Sequence, residues 1–219
     1  MKKGKIITIE GTDGTGKKTQ TKLLVKRASD ENYPVYTLSF PDYDSKWGRK
    51  IKKYLSEPGK TGEAEIMQVS WLYALDRAEK KPLILQKIKE GHNIILDRYM
   101  ESNFAHQGAK LEGEQRTFMV NWLKDLETKI LDLPQSDIVI FLDLPVEHSI
   151  EAMRSRKELD IHEADKEHQK RAYETYKMLS EQDNWVTIPC LKQDMQRYTK
   201  EELSEILWKT VEPYLVNKK

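Results

Sequence analysis

Apolar and polar positions along this chain alternate between two periods. Short runs rich in β-branched and aliphatic residues recur at 6–10, 33–39, 93–96, 137–144 and 185–188. Between them, apolar residues fall at three- and four-residue spacing. Strands separated by helical stretches predict a parallel sheet joined by crossover helices. The pattern predicts a helix after residue 17, a short one over 46–55, and a longer one over 62–81 that Pro82 restarts or kinks and Gly91 ends. Further helices are expected to carry Ser102, Asn103 and His106, to span 118–131 as far as Pro134, to start at Val146, and to run highly charged to about Gln182. Thr199 is expected to cap a final helix reaching about Tyr214. The expected fold class is α/β: three layers in one domain over 1–219, a parallel sheet with helices on both faces. Ligands bind beyond the carboxyl ends of the strands in such a sheet.

The first of these strand ends carries the most specific signal. Ile6-Ile7-Thr8-Ile9-Glu10 runs into Gly11-Thr12-Asp13-Gly14-Thr15-Gly16-Lys17-Lys18-Thr19, and helical spacing follows. A strand, a glycine-rich turn and a helix form a phosphate-binding P-loop, so the fold expected is that of the P-loop NTPases. Backbone N–H groups of the loop and of the helix start converge on an anion, and Lys17 adds a point charge for the outer phosphates. Residues 11–19 are therefore candidate ATP-binding positions. Ser or Thr normally follows the lysine; here Lys18 does, and Thr19 lies one place, about 100°, further round the helix. The dinucleotide fingerprint G-x-G-x-x-G does not match the spacing G-x-x-G-x-G.

Charge and composition narrow the setting. The 37 basic and 36 acidic residues are interspersed and leave a net charge of +1, which does not indicate a general nucleic-acid or membrane surface. Cys190 is the single cysteine, so neither an internal disulfide nor a cysteine-built zinc site is expected. No apolar run approaches the ~20 residues of a membrane span, and Glu10 interrupts the first run too early for a signal peptide. The expected compartment is the cytoplasm.

Four more sets of polar residues follow strand ends or share a helix face. Asp97-Arg98 is either a surface ion pair or an acid that orients a magnesium-bound water beside a phosphate clamp. Tyr73 and Arg77 lie one helical turn apart, either as core packing or as a ring that stacks on a base beside a guanidinium that hydrogen-bonds it. Arg154, Arg156 and Lys157 form either a solvated face or a cationic segment that closes over a transferring phosphoryl group. Phe40-Pro41 marks a turn at a strand end.

In this order, these residues resemble the thymidylate kinase family of nucleoside monophosphate kinases. The resemblance covers nearly the whole chain: 10–17, Phe40-Pro41, 72–77, Asp97-Arg98-Tyr99 with Ser102-Asn103, 105–108, 141–143 and 154–163. It implies transfer of the ATP γ-phosphate to dTMP, with Mg2+ as the metal, and a homodimer. It further implies that Asp13 contacts the acceptor sugar, Arg98 clamps the acceptor phosphate and Asp97 lies near the metal. Tyr73 stands where a base-stacking Phe is usual, with Arg77 and Asn103 on the pyrimidine, Ser102 nearby and Phe40 on the substrate side. A mobile lid near 153–162 would bring Arg154 and Arg156 to the phosphates, and these would act in catalysis with Lys17 and Arg98.

The sequence departs from the family at three positions. Lys18 replaces the usual Ser/Thr, His106 stands where some members carry a tyrosine near the sugar 2′ position, and Tyr43 replaces an arginine. The alternatives are a broader pyrimidine kinase acting on dUMP or UMP, and a non-catalytic nucleotide-binding homologue that lost magnesium through Lys18.

Overall fold

A computed structural model describes residues 2–56, 63–153 and 165–218. Five strands form one parallel sheet: β1 (Ile6–Glu10), β2 (Val35–Ser39), β3 (Asn93–Asp97), β4 (Ile138–Asp143) and β5 (Trp185–Pro189), in the order β2-β3-β1-β4-β5. Ile9 is level with Asp97 on one side and Ile140 on the other, so the carboxyl ends of the three central strands lie together. The chain goes from β1 to the edge strand β2, returns to β3 between them, and then crosses to β4 and β5 on the other side of β1, which opens a crevice at those ends.

Helices cover both faces because alternate strand residues point to opposite sides. Ile7, Ile9, Ile95, Ile140 and Leu142 pack on Leu24 and Ala28 of α1 (Lys17–Asp30) and on Leu207 and Trp208 of the last helix, α8 (Lys200–Val211). Ile6, Ile94, Leu96, Val139 and Phe141 face the other way. They meet α3 (Glu63–Lys89), α4 (Met100–Gly108), α5 (Gly113–Asp125) and α7 (Lys166–Leu179) through Ala74, Phe104, Leu123 and Tyr176. Two further helices are α2 (Lys46–Ser56) and α6 (Val146–Met153). Thr199 and Glu202 cap α8 reciprocally, as the sequence leads one to expect.

Two helices differ from the sequence pattern. α3 runs on through Pro82, which lies on the exposed face of the helix. α5 begins at Gly113 and not at Phe118, and a five-residue π turn (Leu126–Ile130) follows it, closed by Leu131 N–H donating to the Leu126 carbonyl at 2.9 Å. The charged helix stops at Leu179, and β2 begins two residues later than its apolar run.

Candidate active site

Glu10 ends β1 and the P-loop follows at once. A Cβ on Gly11 would lie 2.9 Å from the Leu142 carbonyl oxygen, and Gly14 and Gly16 take left-handed φ of 82° and 94°. Thr15 Oγ1 and Lys17 Nζ both donate to the Thr12 carbonyl, at 2.9 and 2.7 Å, which closes the turn on itself. α1 begins with no side-chain cap and no acid in its first turn, so its free N–H groups favour an anion. Lys17 is buried; burial and the nearby Arg98 cation push its pKa down to about 8. Lys18 and Thr19 are exposed.

Arg98 follows β3 with φ of 65°, held there by its N–H donating to the Ile9 carbonyl at 3.1 Å. This strained backbone turns the guanidinium across the end of β1. One arm pairs with Asp13, and the other reaches Ser102 Oγ at 3.1 Å, His106 Nε2 at 3.2 Å and Tyr176 OH at 3.5 Å. Burial would raise the Asp13 pKa, but Arg98 and Lys17 at 3.9 Å more than offset this and hold the carboxyl well below its usual range. An arginine only donates, so His106 Nε2 accepts and its proton sits on Nδ1, 3.4 Å from His168 Nε2. Burial and the Lys110 cation lower the His168 pKa to about 4, which keeps that ring neutral at pH 7.

One cleft joins these groups to the helix residues. It encloses about 700 Å³ with its open mouth. Asp13, Arg98, Ser102 and His106 lie along it with Phe40, Tyr73, Arg77 and Asn103, so all eight expected substrate-side residues converge there. Phe40 packs on Tyr99 at 5.7 Å between ring centroids. Tyr43 also lines the cleft. Asp97 ends β3, its Oδ2 3.4 Å from Ser39 Oγ, and its charge supports the Lys17 ammonium. Arg154, Arg156 and the expected lid lie outside the described residues, apart from its first position, Met153, which ends α6.

Several residues that the sequence did not single out hold this geometry. Glu127, on the buried face of its helix, receives Arg77 Nε at 2.6 Å, Arg77 Nη2 at 2.5 Å and Asn103 Nδ2 at 2.8 Å. Asn103 Nδ2 also reaches the Ser70 carbonyl at 3.2 Å, so its Oδ1 cannot turn to that side without meeting two acceptors. Asn103 Oδ1 and Gln107 Oε1 are buried, with no hydrogen-bond partner among the described residues. Asp76 accepts from Asp42 N–H at 2.8 Å and Ser45 Oγ at 2.5 Å, which fixes the loop after Phe40-Pro41. Burial raises the Glu10 pKa against Arg98 and its hydrogen-bond donors. Glu10 did carry a signal, as an acid in phase with the buried Ile6 and Thr8. Glu127 carried one too, as an acid four residues after the buried Leu123 and seven after the buried Val120, on the core face of its helix.

A family model described as Thymidylate kinase matches residues 9–201. A protein described as probable thymidylate kinase in Pyrococcus horikoshii is 34% identical over 182 residues, 82% of this chain and 84% of its own. A thymidylate kinase of Prochlorococcus marinus is 30% identical over 213 residues, 94% of this chain and 98% of its own. The solved thymidylate kinase of Candida albicans superposes with a TM-score of 0.78 over 98% of this chain and 96% of that one, at 23% identity.

Proposed function

The chain belongs to the thymidylate kinase family of nucleoside monophosphate kinases, and from that premise we propose that it moves the γ-phosphoryl group of ATP to dTMP in the cleft between the P-loop and α4, for dTTP synthesis. One observation carries the acceptor assignment. At one end of the cleft stands Arg98, and on its buried wall stand the Arg77 guanidinium and two acceptor oxygens, on Asn103 and Gln107, that no described residue satisfies. A buried acceptor without a partner costs about 1–3 kcal/mol, which a ligand N–H recovers. A pyrimidine with N3–H beside a C4 carbonyl offers the donor that Asn103 lacks and an acceptor for the Arg77 guanidinium. Cytosine offers the reverse.

The chemistry needs no general base. A monoester phosphate has its second pKa near ~6, so the attacking oxygen is already anionic at pH 7. Catalysis is positioning and charge neutralisation. Lys17 leaves the Thr12 carbonyl for the donor phosphates, and Arg98 exchanges Asp13 for the acceptor phosphate, which frees Asp13 for the sugar hydroxyl. Tyr73 and Phe40 flank the base, with His106 towards the sugar.

Mg2+ binds with one or two carboxylates, water and substrate phosphates, a set that Asp97 beside the P-loop fits. Among the described residues no cluster of three acids or histidines offers a metal cage of its own, and the exposed Lys18 adds no ligand. When bound, the ion neutralises charge on the phosphates. We assign Arg154 and Arg156 to a lid near 153–162 that closes over the same phosphates and excludes water.

We also assign a homodimer, because Trp71 and Met67 on α3 and Phe118 on α5 expose large apolar surface. The compartment we assign is the cytoplasm, consistent with Cys190 as a buried free thiol and with no described helix long and apolar enough to cross a membrane.

The test is ADP production with ATP and magnesium across dTMP, dUMP, UMP, dCMP, CMP and dGMP, with Arg98→Ala as control. Turnover on dTMP that depends on Arg98 is expected, with dCMP and CMP poor. Equal rates on dCMP would refute the base assignment, and no turnover with any acceptor would refute the reaction.

A further inference from the structure

Glu10 sits directly before the P-loop and is completely enclosed. Its Oε1 accepts from the N–H groups of Tyr99 and Ser102, at 2.8 and 3.1 Å. Its Oε2 accepts from the hydroxyls of Ser102 and Tyr176, at 2.7 and 2.8 Å. Those two hydroxyls are also the groups that Arg98 Nη1 donates to, at 3.1 and 3.5 Å. A hydroxyl has one hydrogen. With that hydrogen committed to Glu10, each oxygen turns its lone pairs to the guanidinium.

The hydrogen bonds therefore run one way, from Arg98 through Ser102 and Tyr176 to Glu10. Three segments meet in this chain: the strand that enters the P-loop, the start of α4, and α7. We propose that Glu10 is a positioning residue for the acceptor phosphate, because it sets the polarity of the two hydroxyls that hold Arg98 in place. This rests on the assignment of Arg98 to that phosphate.

A plain structural acid that only ties down the start of α4 would behave differently. Glu10→Gln preserves shape and distinguishes the two. The glutamine oxygen must face the two backbone N–H groups, since its NH2 there would oppose two donors. Its NH2 then faces both hydroxyls; one of their hydrogens can pass to the other oxygen, 3.1 Å away, and the second is turned towards Arg98, donor against donor. The phosphate site loses its aim while the base end of the cleft is untouched.

The experiment is calorimetric binding of dTMP and of thymidine, which lacks the phosphate, to the full chain and its variants. Glu10→Gln is expected to weaken dTMP about tenfold and thymidine by less than about twofold, the loss of one charge-assisted hydrogen bond falling on the phosphate alone. Tyr176→Phe keeps the ring stacked on Phe141 at 5.5 Å and removes only the hydroxyl. It should shift dTMP in the same direction by less, and the double variant should lose less than the product of the single effects. If Glu10→Gln does not fold, Tyr176→Phe alone decides the matter by the same comparison.

Equal weakening of dTMP and thymidine, no weakening of either, or independent multiplication of the two effects would overturn the proposal while the wild-type preference for dTMP stands. A wild-type protein that binds dTMP no better than thymidine would overturn it together with the Arg98 assignment.

Discussion

Replacing Glu127 by glutamine keeps the volume of a buried side chain and removes the charge that Arg77 is buried against. Arg77 is 2% exposed and Glu127 not at all, and both carboxylate oxygens are used by the guanidinium. Burial opposes the Arg77 charge, and Glu127 more than restores it, which leaves the guanidinium pKa raised. Two unit charges about 4 Å apart attract by about 4 kcal/mol at an effective dielectric of 20. Removing one partner of such a pair costs about 3–5 kcal/mol, since the other charge stays buried. The glutamine oxygen retains one acceptor and recovers about 1 kcal/mol, so the expected loss is about 3 kcal/mol.

For a chain of this size that corresponds to a Tm lowered by about 6–12 °C. Urea and thermal unfolding read the loss directly. A second variant separates stability from recognition. Arg77→Met combined with Glu127→Leu removes both charges and should return stability to within about 2 kcal/mol of the parent. Its KM for dTMP should stay high, because the base loses its guanidinium contact. A loss below about 1 kcal/mol in Glu127→Gln, or a double variant no more stable than the single one, would refute this account of the pair.

Three further outcomes follow from the site. Lys17 has its pKa lowered to about 8 in the free protein, and a bound phosphate restores it towards the usual ~10.4, so ATP binding takes up a proton between those values. Affinity should be flat below pH 8 and fall as pH rises above it, and calorimetry in buffers of different ionisation enthalpy should detect the proton; a flat profile to pH 10 would refute this. Lys18→Ser should change the KM for ATP by less than about fivefold, because exposed charges contribute only about 0.2–1 kcal/mol; steady-state kinetics with magnesium checks it. Gly48→Ala would put a Cβ 1.8 Å from the Asp42 carbonyl oxygen, an overpacking of about 1–3 kcal/mol that shifts the loop carrying Phe40 and Tyr43. The KM for dTMP should rise while that for ATP holds.

Much of this was legible in the chain itself. The strands, the P-loop and the helix that follows are set by local chemistry: β-branched runs, glycines that admit left-handed backbone, and a period that switches from two to about three and a half. The eight expected substrate-side residues converge on one cleft because the sheet order brings their strand ends together beside the faces of α3 and α4. The sequence could not tell that Arg98 pairs with Asp13, 85 positions away, because ion pairing is decided by distance in space.

Glu127 and Glu10 each show both kinds of information. Glu10 was visible as an acid in phase with buried strand positions, yet its four donors come from Tyr99, α4 and α7, and only packing assembles them. Glu127 was visible in the same way, as an acid in phase with the buried Val120 and Leu123, but its partners Arg77 and Asn103 lie 50 and 24 positions away, and only packing brings them to it. Local propensity and periodicity specify which elements form. Which charges meet inside is fixed by tertiary packing, where burying an unpaired group costs more than most local preferences supply.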